Sequence, residues 1–323
     1  MSTILRPLSA FLAVGLTLSA QVATVNNKNP KPQQEQLSLD EINAKADAAF
    51  KRYFTLPFER KVMNIQYSVL PGYRGKWRLP GNSELHFRLS MEDGFDGLKA
   101  DMRLSKDGEI VLCHDEGYTY NADGRITRFD KNNYEAIHDM PLEKILALEF
   151  ETPFKGEYLH PCKLDTMLEI CRKTGAVAYL TLRPENWRAD TAKRMAELVL
   201  AHKMEKRTII NLFVGNKWSV SSCTSCIPNL VYCNTRRGNE PLTRELIDSS
   251  ATEGYQIICL YFTNQLESIT PELVEYAASK GIRIWNWAVG NREKAEAAIA
   301  RGVSGFQMCS RDVNNAVIAE ILK

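Results

Sequence analysis

The sequence predicts an α/β protein, a closed (β/α)8 barrel, and two observations carry that prediction. From about residue 61 onward, apolar β-branched runs alternate with amphipathic helical runs, the pattern of parallel strands joined by crossover helices. The strand-type runs number eight, the count at which such a sheet closes on itself. A chain of 323 residues is long enough for one such barrel with modest additions.

The elements follow in order. Residues 1–20 read as a secretory signal peptide: Arg6 is the only charge beyond the amino terminus, Leu8 to Leu18 is mostly apolar, and Ala20 or Ala23 offers a cleavage site. That apolar stretch is too short to span a bilayer, so the mature chain is expected to be secreted or periplasmic with no membrane span, a retained anchor being the alternative. Residues 21–37 are polar and Pro-containing and are expected to form a flexible tether. A helix is expected within 38–60, packing on the barrel: Ser38 and Glu41 make a capping box, and Ile42, Ala46, Ala49, Phe50 and Tyr53 share one face. Within the barrel, 61–323, the predicted strands are Val62 to Leu70, Gly97 to Leu104, Val177 to Leu182, Thr208 to Leu212, Asn229 to Cys233, Gln256 to Tyr261, Arg283 to Ala288 and Gly305 to Met308. The clearest helices are Asp165 to Lys173, Ala189 to His202, Pro241 to Ser250, Pro271 to Ser279 and Arg292 to Arg301.

Composition narrows the function. Lys and Arg number 41 against 39 Asp and Glu, a net charge of +2, so nothing in the bulk electrostatics points to nucleic acid and none is expected as a partner. Of the eight Cys, Cys113, Cys259 and Cys309 lie in apolar runs and read as buried small hydrophobes. Cys223 and Cys226 form a C-x-x-C in a polar loop, read as a disulfide because zinc would need two further ligands and the sequence offers no second C-x-x-C and no nearby His.

In a barrel of this type the chemistry comes from the C-terminal ends of the strands and the loops after them. Those places hold Tyr73-Arg74-Gly75, Pro80-Gly81-Asn82-Ser83, the run Asp96 to Gly108 that contains Lys99 and Asp101, and Cys113-His114-Asp115. These motifs resemble the glycerophosphodiester phosphodiesterase family, whose signatures are H-R-G, P-E-N-T, D-G-I-E-L-D-V-R-L-T-K-D-G and V-x-H-D. The resemblance runs on through Trp287-Ala288-Val289 and Arg301 to Gly305. It implies a TIM barrel with a small insertion after the second strand, here about His114 to Leu159, and a phosphoric diester hydrolase acting in lipid metabolism, its partner a small-molecule phosphodiester or other anionic ligand. Members use two His as general acid and base and three carboxylates to hold a divalent cation on the phosphate, because a phosphodiester repels nucleophiles until its charge is offset.

Carried over position by position, His114 matches the second catalytic His, Asp101 one metal carboxylate, Arg74 the phosphate-facing Arg, and Trp287 the Trp at the barrel mouth. The rest depart from the pattern. Tyr73 replaces the first His, Gly81 the Glu of P-E-N-T, Lys99 the Glu of E-L-D, and Thr181 the third carboxylate, with Arg183 in place of a Lys. The expectation is therefore no metal and no other cofactor: Arg74, Lys99 and Arg183 supply the positive charge, Asp101 orients His114 or Lys99, and His114 and Tyr73 carry the proton chemistry. The competing expectation is a catalytically dead, ligand-binding barrel. Residue by residue, His114 has the alternative of a hydrogen-bonded mouth histidine, Tyr73 of stacking or hydrogen bonding to a ligand, and Lys99 of a structural ion pair with Asp101 or Glu116. Trp285 and Trp287 are read as facing opposite ways, Trp285 toward the outer helices. His86, His138, His160 and His202 show no ligand spacing and read as surface or structural.

Overall fold

The computed structural model describes residues 37–66, 79–183, 189–213, 227, 230–236, 240–261, 265–307 and 309–323. Tyr73, Arg74, Cys223 and Cys226 lie outside the described residues. Among those described, eight parallel strands run in chain order: β1 (Met63–Asn64), β2 (Gly97–Leu104), β3 (Val177–Leu182), β4 (Thr208–Phe213), β5 (Val231–Thr235), β6 (Ile257–Tyr261), β7 (Arg283–Trp287) and β8 (Gly305–Gln307). From β2 onward each pairs with the next. β8 pairs back onto β1, and a parallel bridge from Ile65 to Gly97 joins β1 to β2 and closes the barrel.

Side chains two apart on a strand share a face, and that alternation divides the core. The outward Leu98, Ala100, Met102, Leu180 and Leu182 pack under the helices Glu84–Glu92 (α2), Leu164–Thr174 (α3) and Ala189–Ala201 (α4). The outward Ile258, Leu260, Ile284 and Phe306 pack under Arg244–Glu253 (α5), Pro271–Ser279 (α6), Arg292–Ala300 (α7) and Asn315–Ile321 (α8). The interior is filled by Met63, Ile65, Tyr179, Ile209, Cys233, Cys259 and Trp285. Trp285 thus faces the barrel interior and not the outer helices, and Trp287, two residues on, packs against the same interior cluster. Its indole fixes a neighbour: a Cβ on Gly305 would lie 2.2 Å from the Trp285 ring, so only glycine fits there.

The first helix, α1 (Leu39–Tyr53), starts from the Ser38–Glu41 capping box. Its last turn closes the N-terminal end of the barrel. The Tyr53 hydroxyl donates to the Ser304 carbonyl at 2.6 Å and accepts from Trp285 Nε1 at 3.0 Å.

Strand and helix limits differ from expectation where polar side chains are satisfied in place. β5 runs to Thr235 because the Asn234 amide donates to Ser250 Oγ at 3.2 Å and Thr235 donates to Asn211 Oδ1 at 2.5 Å. α5 begins at Arg244 and not at Pro241, since the Thr243 side chain accepts from the Leu246 N–H and makes the cap. After β2 the chain turns back as Ile110–Leu112, antiparallel to the end of β2, and Cys162–Lys163 adds to its edge. The insertion between them has its own core of Tyr118, Ile126, Ile137, Met140 and Ile145. Among the described residues no helix is long and apolar enough to cross a membrane.

Candidate active site

Lys99, Asp101 and Arg103 point into the barrel because they sit two apart on β2, and Asp101 is in register with Thr181 on β3. Arg183 follows just past the end of β3 and turns back: its Nη2 donates to Asp101 Oδ1 at 2.6 Å. The Lys99 ammonium donates to the other carboxylate oxygen, Oδ2. One buried carboxylate therefore holds two buried cations, with side-chain exposures of 2% for Lys99 and 9% for Arg183. Lys99 pairs with Asp101, one of the two ion-pair partners the sequence offers.

Burial alone would push the Asp101 carboxyl up; Lys99, Arg183 and His114, in that order, outweigh it and hold it below the usual carboxylate range. The ionised pair is thus maintained in the interior. The backbone around it is pinned as well. The Asp101 N–H donates to Asn82 Oδ1 at 3.1 Å and the Gln66 amide donates to the Lys99 carbonyl at 2.8 Å. Asn82 does this from a left-handed conformation, φ 59°, which asparagine tolerates better than most side chains.

His114 reaches the same place from the insertion. The Cys113 N–H donates to the Asp101 carbonyl at 2.9 Å, and Arg103 Nη2 donates to the His114 carbonyl at 2.8 Å. The imidazole Nδ1 lies 2.9 Å from Asp115 Oδ1. Cys113 is not a competing nucleophile, because burial pushes its thiol up to about 11 against the pull of Arg103.

Beside these charges, joined to Thr181 in register with Asp101, lies a neutral group whose Asn211, Thr235 and Gln307 the sequence reading missed. Asn211 Nδ2 donates to Thr181 Oγ1 at 3.2 Å, and the Thr235 hydroxyl is 2.5 Å from Asn211 Oδ1 and 3.4 Å from Gln307 Oε1. On the β6–β7 side the half-buried Tyr261 and Trp287 form an aromatic wall, with ring centroids 4.6 Å apart and planes tilted by 43°. Tyr261, Asn211 and Gln307 sit at inward positions within strands the sequence predicts, so alternation along those strands was the signal that would have found them, whereas Thr235 lies beyond the predicted end of its strand.

The structure thus gathers Lys99 and Asp101 on β2, Arg183 just past the end of β3 and His114 from the insertion, and sets Trp287 on β7. The remaining histidines lie elsewhere: His86 is buried on α2, His138 and His160 are exposed, and His202 lies between Asp165 and Glu169.

The sequence pattern described as the Glycerophosphoryl diester phosphodiesterase family matches residues 72–308. The chain belongs to that family. It is 27% identical over 247 residues to the glycerophosphodiester phosphodiesterase of Caldanaerobacter subterraneus subsp. tengcongensis, covering 71% of this chain and 88% of that protein. Solved structures share the fold. A Silicibacter pomeroyi chain proposed to be a glycerophosphoryl diester phosphodiesterase superposes with a TM-score of 0.66 at 20% identity, covering 86% of this chain and 97% of the other. An Oleispira antarctica phosphodiesterase, solved with its product sn-glycerol-3-phosphate, gives a TM-score of 0.61 at 15% identity over 81% and 97% of the two chains.

Proposed function

We propose that this family member is a phosphoric diester hydrolase acting on glycerophosphodiesters, in which Lys99 and Arg183 supply the charge that a divalent cation supplies in its relatives. One observation carries the reading: a buried carboxylate clamped between two buried cations beside His114. The donor set does not fit a divalent cation. Both Asp101 oxygens face an ammonium or a guanidinium, Lys99 and Thr181 stand where two further carboxylates would be, and among the described residues no three His, Cys, Asp or Glu gather as ligands.

In this mechanism the phosphodiester lies over the Lys99–Asp101–Arg183 cluster, its negative charge facing the two cations. Asp101 keeps both cations oriented without cancelling them. His114 transfers the proton to or from the reacting oxygen, with Tyr73 or a water as its counterpart, and Arg74 adds a further cation. The alcohol lies against Trp287. The product bound by the Oleispira antarctica relative, sn-glycerol-3-phosphate, is the ligand class this arrangement would release.

The engagement of both cations by Asp101 favours a second reading, a ligand-binding barrel without turnover. Export of the mature chain belongs with either proposal. Thermal shift tests the shared anion site: millimolar glycerol phosphate raises the melting temperature of the wild type and not of Lys99→Ala. An equal shift in both removes the assignment.

A further inference from the structure

We infer that Asp115 is the positioning residue of His114, holding the ring with its proton on Nδ1 and leaving Nε2 as the nitrogen that meets the ligand. The inference rests on the proton-transfer role proposed for His114 and adds the group that sets its tautomer.

Three contacts carry it. The His114 backbone is held from two sides, by the Asp101 carbonyl through the Cys113 N–H at 2.9 Å and by Arg103 Nη2 on the His114 carbonyl at 2.8 Å. With the main chain fixed, the remaining freedom of the residue is the rotation of its ring. Asp115 removes that freedom, its Oδ1 lying 2.9 Å from Nδ1. A carboxylate accepts and does not donate, so a neutral imidazole at this distance must carry its proton on Nδ1. Nε2 is then the lone-pair nitrogen, able to take a proton from a nucleophile and return it to a leaving oxygen.

The arrangement also explains why a carboxylate next in sequence can serve. Arg103 is buried, with 5% of its surface exposed, and fixes the peptide that joins the two side chains. Asp101, the other carboxylate that acts on His114, is held by Lys99 and Arg183. Among the described residues, Asp115 is the carboxylate that lies on the ring.

The test reads the tautomer directly, on the full chain labelled with ¹⁵N-histidine at alkaline pH, with His114→Ala used to assign the resonance. The wild type should show His114 protonated on Nδ1, and Asp115→Ala should move the proton to Nε2 or to a mixture of both forms. A wild-type ring protonated on Nε2, or an unchanged tautomer in Asp115→Ala, overturns the inference. On glycerophosphodiesters, Asp115→Ala should lower kcat by about one to three orders of magnitude at little-changed KM, short of the roughly 10⁴-fold loss when a buried triad carboxylate is altered. An unchanged kcat overturns the inference as well. Absence of wild-type turnover would instead count against the hydrolase reading, since the tautomer is measured without substrate.

Discussion

Replacing Asp101 with Asn probes the centre of the site, and its cost follows from burial. The change keeps the volume but takes from the buried Lys99 and Arg183, at 2% and 9% side-chain exposure, the carboxylate they share. Removing one partner of a buried ionic cluster costs about 3–5 kcal/mol. At about 2 °C per kcal/mol for a chain of this size, the melting temperature should fall by roughly 6–10 °C in a dilute chloride buffer at neutral pH. The acid limb provides an internal check. Because the folded Asp101 carboxyl is held below its ordinary value, its stabilisation is present above the unfolded pKa of about 3.9 and is lost as pH falls through the folded value. The gap between wild type and variant should hold from pH 7 to about 4 and narrow below that. Phosphate should recover more stability in Asp101→Asn than in the wild type, by entering between the two cations. A variant as stable as the wild type, or one that phosphate leaves unaffected, refutes the charge assignment.

Two further outcomes follow from the same geometry. Gly305→Ala should shift the urea midpoint down by the equivalent of about 1–3 kcal/mol or more, because its Cβ would lie 2.2 Å from the Trp285 ring; an unchanged midpoint contradicts the packing. The double change Lys99→Glu with Thr181→Glu removes the ammonium and adds two carboxylates around Asp101, so calorimetry should detect stoichiometric calcium or magnesium binding that the wild type lacks; equal binding by both proteins would contradict the replacement of metal by lysine.

Much of the fold was legible because barrel strands carry their burial on both faces. Val177 to Leu182 and Gly97 to Leu104 were read at the bounds the structure gives them, the first a near-continuous apolar run and the second an alternation of apolar and charged residues. Strand ends were harder, since Asn234 and Thr235 are polar and yet lie within β5, satisfied by Ser250 and Asn211. Helices α2 and α8 were not singled out; their caps, Ser83 and Asn314, were the available signs. Within the site, motif positions led to Lys99, Asp101, Arg183 and His114, whereas the sharing of one carboxylate by two cations depends on how far Arg183 turns back from β3. Reading Trp285 and Trp287 as opposed misapplied the two-residue period, which places both on one face. In the neutral group, Thr181 stood at a motif position, whereas Asn211, Thr235 and Gln307 left no motif, being brought in from three further strands.

The most direct test of the central claim is turnover of glycerophosphodiesters by the purified chain in the presence of a chelator. If Lys99 and Arg183 supply the charge and His114 the proton transfer, the rate is the same with chelator, calcium or magnesium, and His114→Ala lowers it by roughly 10²–10⁴-fold. Activity that vanishes in chelator and returns with a divalent cation would contradict the claim.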